Sequence, residues 1–455
     1  MVGGLLAPRG GTAQPADAPC PLRVAEDERH LVCEDGTPYI WLGDTAWELF
    51  HRLDREQATT YLRDRAEKGF TIIQAVVLAE QDGLNTPNAY GHTPLANNDP
   101  TQPNEAYFEH VDTIVDTAEQ LGLHIGMLPT WGDKFNTKWG VGPEIFTPEN
   151  ARTFGRFLGE RYRNAPVVWI LGGDRNPEDA EDRAIIRAMA EGLHAGDGGR
   201  HLMTYHPQGG SQSWQWFHTD DWLDFNMFQS GHGRSDQPNY RTTRVGYLLD
   251  PVKPVLDGEP RYEDIPVGFD RNMGWFDAFD VRQAAYWSML AGAFGHTYGN
   301  NNIWQMWAPE RNPILSARTP WYEALNHAGA THMGYMRRLF ASRPFLDLVP
   351  DQAVLAGPAQ TGGAHIRAAR DRDGRTLIAY TPYGHDVPLW LGMMQGEEAT
   401  AHWFNPRTAE VESIGTFDAT GARTFDPPGA PSRGNDWVLV VDAAAADFSA
   451  PGAVE

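Results

Sequence analysis

Between Pro38 and about Arg343 the chain alternates short apolar runs with longer amphipathic stretches. Eight runs read as strands: YIWLGDTAW (39–47), FTIIQAVVL (70–78), LHIGMLPTW (123–131), PVVWILGGD (166–174), HLMTYHP (201–207), DFNMFQS (224–230), KPVLDGE (253–259) and HTYGNNNIWQMW (296–307). Runs that are apolar on both faces suit parallel strands covered by helices. The stretches between them carry helix signals. Asp54 with Gln57 makes a capping-box pattern closed by Gly69, residues 104–122 have apolar spacings of 3 and 4 and end on Gly122, and Thr147 before Pro148 opens 147–165. Eight strands alternating with helices predict a (β/α)8 TIM barrel over 29–344, in preference to an open doubly wound sheet. No glycine-rich dinucleotide or phosphate loop follows any run.

After Arg343 the pattern becomes short and β-rich. HIRAARD, RTLIAYTPYG, ATAHWFNPR and DWVLVVD are separated by the turn sequences DGR, NPR and RGND. This predicts an antiparallel β-sandwich over 345–447, with Trp390, Trp403 and Trp437 in its core and a mobile tail AAAADFSAPGAVE. Residues 1–28 read as a disordered lead. The lead has neither a basic start nor a useful apolar stretch, so the expected location is cytoplasmic, or secreted if a signal peptide has been removed. Cys20 and Cys33 are the two cysteines; a pair of free thiols is expected, with one bridge as the alternative in an exported protein.

Charge and composition narrow the partner. With Lys+Arg 37 and Asp+Glu 60 the net charge is −23, which disfavours nucleic acid and anionic membranes. No run of about 18 apolar residues could cross a bilayer. The 16 tryptophans suit a small neutral carbohydrate, because an indole offers a flat apolar face to the C–H face of a sugar. The oligomeric state stays open, and neither a cofactor nor a metal is expected.

Active sites of such barrels lie where the strands end. The ends supply Asp44, Trp47, Glu80, Trp131, Asp133, Lys134, Asp174, His206, Gln229, His232, Glu259, Arg261, His296, Asn300 and Trp304. Asp174 and Glu259 stand out, each delivered by a buried run with glycine beside it, on the fourth and seventh strands. Two carboxyl groups of unlike pKa are what cleavage of a glycosidic bond requires. Asp257 is the weaker candidate by alternation. Asp44, Trp47, Glu80, Trp131, His206, Gln229, His232, Arg261 and Trp304 are expected to bind substrate, with Arg261 helping to hold Glu259 ionised. Asp174, Glu259, His206 and His232 could also ligate a metal, but the first strand lacks an HxH pair and no HExxH helix occurs.

GDTAWELFHRL (43–53), KGFTIIQAVVLAEQDGLNTPNAYG (68–91), LPTWGDKF (128–135) and VVWILGGDRNP (167–177) resemble the apiosidase-like glycoside hydrolases. WFNPRT (403–408) and GNDWVLVVD (434–442) resemble the collagen-binding-type β-domain found in the same proteins. The resemblance implies release of a terminal apiose from a plant glycoside or pectic oligosaccharide, with an acid/base at Asp174 and a second carboxylate at Glu259. Retention of configuration is expected, with Glu259 as nucleophile. The alternative is a non-catalytic carbohydrate- or matrix-binding protein on a barrel scaffold.

Overall fold

The computed structural model describes residues 18–453. Strands β1 (Leu22–Val24), β2 (Leu31–Cys33) and β3 (Pro38–Tyr39) form a small antiparallel sheet. Eight parallel strands follow: β4 (Trp41–Thr45), β5 (Ile72–Leu78), β6 (His124–Thr130), β7 (Val167–Gly172), β8 (Met203–His206), β9 (Asn226–Phe228), β10 (Val255–Asp257) and β11 (Gly295–Tyr298). Their hydrogen-bonded order is β8-β7-β6-β5-β4-β11-β10-β9. The ring closes between β8 and β9 through single bonds instead of a ladder. The Asp224 amide donates to the Met203 carbonyl at 2.9 Å, and the Thr204 hydroxyl donates to the Phe225 carbonyl at 2.7 Å.

Alternation along the strands sorts the side chains. Ile72 and Val76, like Val168 and Ile170, join the apolar cluster inside the barrel, whereas Ile73 and Val77 join a second cluster with the helical residues Leu62 and Val111. Trp41, Phe225 and Phe294 fill the base, with ring centroids 5.3–6.1 Å apart. Glycine at 295 is required there, because a Cβ would come within 2.3 Å of the Trp41 carbonyl. The helices Pro148–Arg161 and Ala180–Asp197, which flank β7, touch backbone to backbone. A Cβ on Gly192 would stand 2.2 Å from the Arg152 carbonyl. The capping boxes at Asp54 and Thr147 both form.

The C-terminal region is two antiparallel sheets. Strands β12 (Leu348–Pro350), β13 (Arg367–Asp371), β14 (Thr376–Thr381), β16 (Glu398–Phe404), β17 (Val411–Asp418) and β19 (Trp437–Ala443) form one, and β15 (Val387–Trp390) with β18 (Ala422–Phe425) the other. One face of the larger sheet continues the cluster between the strands and helices: Ile378, Tyr380, Phe404 and Val438 share it with Tyr286 and Phe340. Across this junction Arg282 grips Asp436 with two bonds of 2.7–2.8 Å, Arg343 grips Asp442, and Tyr286 stacks on Tyr380 at 4.8 Å.

Five expectations need correction. The eighth run is a strand only to Tyr298; Asn300 caps the amide of Asn302 and starts the helix Asn301–Trp304, which ends the strand early. Cys20 and Cys33 are joined in a disulfide that ties the start of β1 to the end of β2. Residues 18–28, placed in the lead, carry β1, while residues 1–17 lie outside the described residues. The tail is held to Ala453: Arg343 lies over the Phe448 ring, and the Gly452 amide donates to the Ser342 hydroxyl at 2.9 Å. Trp403 and Trp437 are buried, but Trp390 is 49% exposed, because it sits at the end of the short outer strand β15.

Candidate active site

The C-terminal ends of the strands converge on one mouth. β7 ends in Gly172 (φ 98°), Gly173 (φ 89°) and Asp174 (φ 52°). Three consecutive left-handed residues turn the chain sharply. A Cβ at Gly172 would meet the His206 carbonyl at 2.5 Å, so a side chain is excluded there on two counts. Asp174 has a side chain and still adopts this conformation, at a cost of about 1 kcal/mol, which marks a position where geometry is held for use. Its Oδ2 accepts the indole N–H of Trp139 at 2.9 Å. Burial, and next the charge of Glu259, push its pKa up to about 7, so Asp174 is protonated in slightly acidic solution.

Glu259 lies just beyond β10 and is buried, between two histidines. The Asp174 amide donates to His206 Nδ1 at 3.2 Å, and the Tyr262 amide donates to His232 Nδ1 at 3.3 Å. Each bond orients its ring so that Nε2 faces Glu259. Both Nε2 atoms lie 3.1 Å from a Glu259 oxygen; the His232 contact is a well-directed hydrogen bond, while the His206 contact is off line and acts by charge. Burial alone would raise the Glu259 pKa, but the two histidines outweigh it and hold the carboxylate at about 2. The arrangement is an ionised carboxylate beside a protonated one.

The surroundings combine rings and unpartnered polar atoms. Trp47 lies 5.4 Å from both Trp131 and His206, and Trp304 belongs to the same apolar cluster. Trp131 Nε1, Gln229 Oε1, Gln74 Oε1 and the Tyr262 hydroxyl are buried without a hydrogen-bond partner. Such groups are expensive unless something fills them, and sugar hydroxyls are suited to do so. Glu80 stands on the rim, where burial and the charges of Asp174, Glu48 and Asp133 push its pKa up to about 8.

Two expected substrate ligands face elsewhere. Asp44 shares the outward parity of Leu42, and its carboxylate is taken up by Arg65, the Tyr61 hydroxyl (2.7 Å) and the Thr45 amide (2.9 Å). Arg261 turns to Gln283 (2.8 Å) and the Ser235 carbonyl, so the donors that hold Glu259 ionised are the histidines. Asp133 and Lys134 pair with each other at 2.7 Å, His296 faces Ser288, and Asn300 caps a helix. Asp257 is held by Asn239 and Ser230. Sequence reasoning missed Trp139, Tyr262 and Gln74. The signal for Trp139 is a tryptophan inside a loop punctuated by glycine and proline, TKWGVGP.

Two buried carboxyl groups of unlike pKa at the mouth of a (β/α)8 barrel, close to a cluster of indoles, suit a glycoside hydrolase. The comparisons agree. The family model "Apiosidase-like, catalytic domain" matches residues 25–347, and the chain belongs to that family. The model "Putative collagen-binding domain of a collagenase" matches residues 349–442. A solved structure titled "Glycoside hydrolase" is similar at 35% identity with a TM-score of 0.87, over 94% of this chain and 98% of that one. A glycoside hydrolase family 5 structure from Bacteroides vulgatus is similar at 33% identity and a TM-score of 0.88, over 95% and 96%. No curated protein matches. No described helix is long and apolar enough to cross a membrane.

Proposed function

We propose that the protein is a retaining, exo-acting glycosidase that releases a terminal pentose such as apiose from a plant glycoside or pectic oligosaccharide. The observation that carries this reading is the split in protonation: Glu259 held near 2 as nucleophile, Asp174 near 7 as acid and then base. Asp174 protonates the glycosidic oxygen while Glu259 attacks the anomeric carbon. Water, deprotonated by Asp174, then hydrolyses the glycosyl-enzyme. Support for retention comes from Glu259 being the charge that most raises Asp174, as in closely spaced retaining pairs. Support for apiose comes from the family. A panel of p-nitrophenyl pentosides and hexosides, with the product anomer followed by NMR, tests both parts. An inverted anomer would remove Glu259 from the nucleophile role, and hydrolysis of hexosides alone would remove the pentose.

The Cys20–Cys33 bridge supports residence in an oxidising compartment over the cytoplasm. Thiol titration of denatured protein purified from its native host checks this: two free thiols would return it to the cytoplasm.

A further inference from the structure

The loop after β6 is built around a single exposed ring. Trp139 is 38% exposed at the rim of the mouth. One ring face is covered, with the Arg175 guanidinium 4.1 Å from its centroid. Arg175 is itself buried and anchored, donating to the Trp139 carbonyl (2.7 Å), the Asn136 carbonyl (2.7 Å) and the Asp174 carbonyl (3.1 Å). On the other side of the loop, Asp133 Oδ2 accepts the amides of Val141 and Gly142, each at 2.9 Å. The indole N–H is spent on Asp174 Oδ2. The side chain is therefore fixed in three ways before any ligand arrives, and its remaining surface faces solvent.

The position of that surface has a chemical consequence. A general acid gives its proton to the glycosidic oxygen, and that oxygen leaves with the departing group. With Oδ2 occupied by Trp139, the proton for transfer sits on Oδ1, which no described protein donor bonds. A ring bonded to the acid's far oxygen flanks the leaving group, whereas Trp47 packs on Trp131 and on His206, which touches both acids.

We propose that Trp139 is the leaving-group subsite: its free face stacks on the apolar face of a ring-shaped departing group, which the mouth selects over small alcohols. The inference rests on Asp174 being the general acid. A flat, immobile indole suits this, because little side-chain entropy is lost when a ring docks.

Three glycosides of one pentose, apiose first, with methyl, p-nitrophenyl or glucosyl leaving groups, test it against Trp139→Ala and Trp139→Phe. Trp139→Ala should lose roughly 10-fold or more in kcat/KM on the glucosyl and p-nitrophenyl substrates and distinctly less on the methyl glycoside. Trp139→Phe keeps a ring but no N–H, so it should retain activity best on the p-nitrophenyl substrate, which needs little protonation. Equal losses on all three would reduce Trp139 to a positioning residue for Asp174, and no loss on any would remove it altogether; either result overturns the subsite. If the wild type cleaves none of them, the glycosidase reading for that sugar fails, and calorimetric titration of the intact glucosyl glycoside still decides. Weaker binding by Trp139→Ala upholds the subsite, and equal or absent binding overturns it.

Discussion

The barrel mouth and the barrel–sandwich junction both bury charge, and they treat it in opposite ways. At the junction two buried ion pairs are fully matched. Arg282 forms two bonds to Asp436, which also accepts from the Tyr380 hydroxyl at 3.0 Å; Arg343 forms two to Asp442, which also accepts from Thr376 at 2.7 Å. At the mouth the donors run short: two acids share a few partners, one acid sits in a left-handed backbone, and four buried polar atoms go unpaired. Satisfied charge holds two domains in one arrangement. Unsatisfied charge raises the free energy of the empty mouth and leaves it something to give to a substrate.

The contrast breaks most sharply under substitution of the acids. Glu259→Ala should lower kcat by roughly 10⁵-fold on every substrate, with the fold intact by circular dichroism. Asp174→Ala should lose roughly 10²–10⁴-fold on glycosides with poor leaving groups and far less on p-nitrophenyl glycosides, with azide rescuing deglycosylation. A variant of either residue that kept full activity would move the chemistry elsewhere.

At the junction the order of effects reverses. Arg282→Ala leaves Asp436 buried without its cation and should cost about 3–5 kcal/mol of stability. Melting by calorimetry should show the loss, while kcat of the remaining folded enzyme stays close to the wild-type value. A large fall in kcat with an unchanged Tm would place the junction in the catalytic machinery.

How much of this was legible in the chain depends on range. The strands were legible because an apolar run between turn signals is a local property. The eighth was overextended because Asn300 stops it through its own side chain, a choice that composition does not reveal. Asp174 and Glu259 were legible as acids delivered by buried strands. Asp44 satisfied the same description, and only its shared parity with Leu42 turns it toward Arg65. Arg261 was misread for a similar reason: nearness in sequence to Glu259 says nothing about which side of the strand end an arginine leaves. The two histidines were candidates, but their ring orientations are set by the amides of Asp174 and Tyr262, brought in from other segments. Trp139 reaches Asp174 across 35 positions of chain through a loop shape that no periodicity encodes. Two cysteines 13 apart in sequence are compatible with either redox state until the strands place them together.

The pH dependence sharpens the comparison within the mouth. Asp174 must be protonated to act, and its raised pKa keeps it so below about 7. Glu259 must be ionised, and its lowered pKa of about 2 keeps it so through the whole range in which enzymes are assayed. For a poor leaving group, kcat/KM should therefore be level in mild acid and fall about tenfold per pH unit above roughly 7. Trp139→Phe removes a bond that favours the ionised Asp174, so the alkaline limb should move upward. A limb that moved downward would mean that the indole favours the protonated acid instead. These limbs are read from initial rates, with p-nitrophenyl glycosides as the control that needs little acid.

The smallest expected effect carries the opposite sign. Gln229 is buried at the mouth, and its Oε1 has no partner. Removing one member of a satisfied pair strands the other, but removing a polar group that has no partner strands nothing. Gln229→Met keeps the shape and deletes the orphan, so it should stabilise the protein by about 1 kcal/mol, or raise Tm by about 1–2 °C. The same change removes an acceptor for a sugar hydroxyl, so kcat/KM should fall by roughly 10-fold as Tm rises. The result that decides is the pairing of the two signs. A loss of stability would mean that Gln229 is structurally satisfied, as Asp436 is at the junction. A gain in stability with no loss of activity would mean that its amide is spare, and that the mouth's unpaired groups are not all meant for substrate. Only a gain in one with a loss in the other fits a mouth that holds its polar atoms unpaired for the sugar.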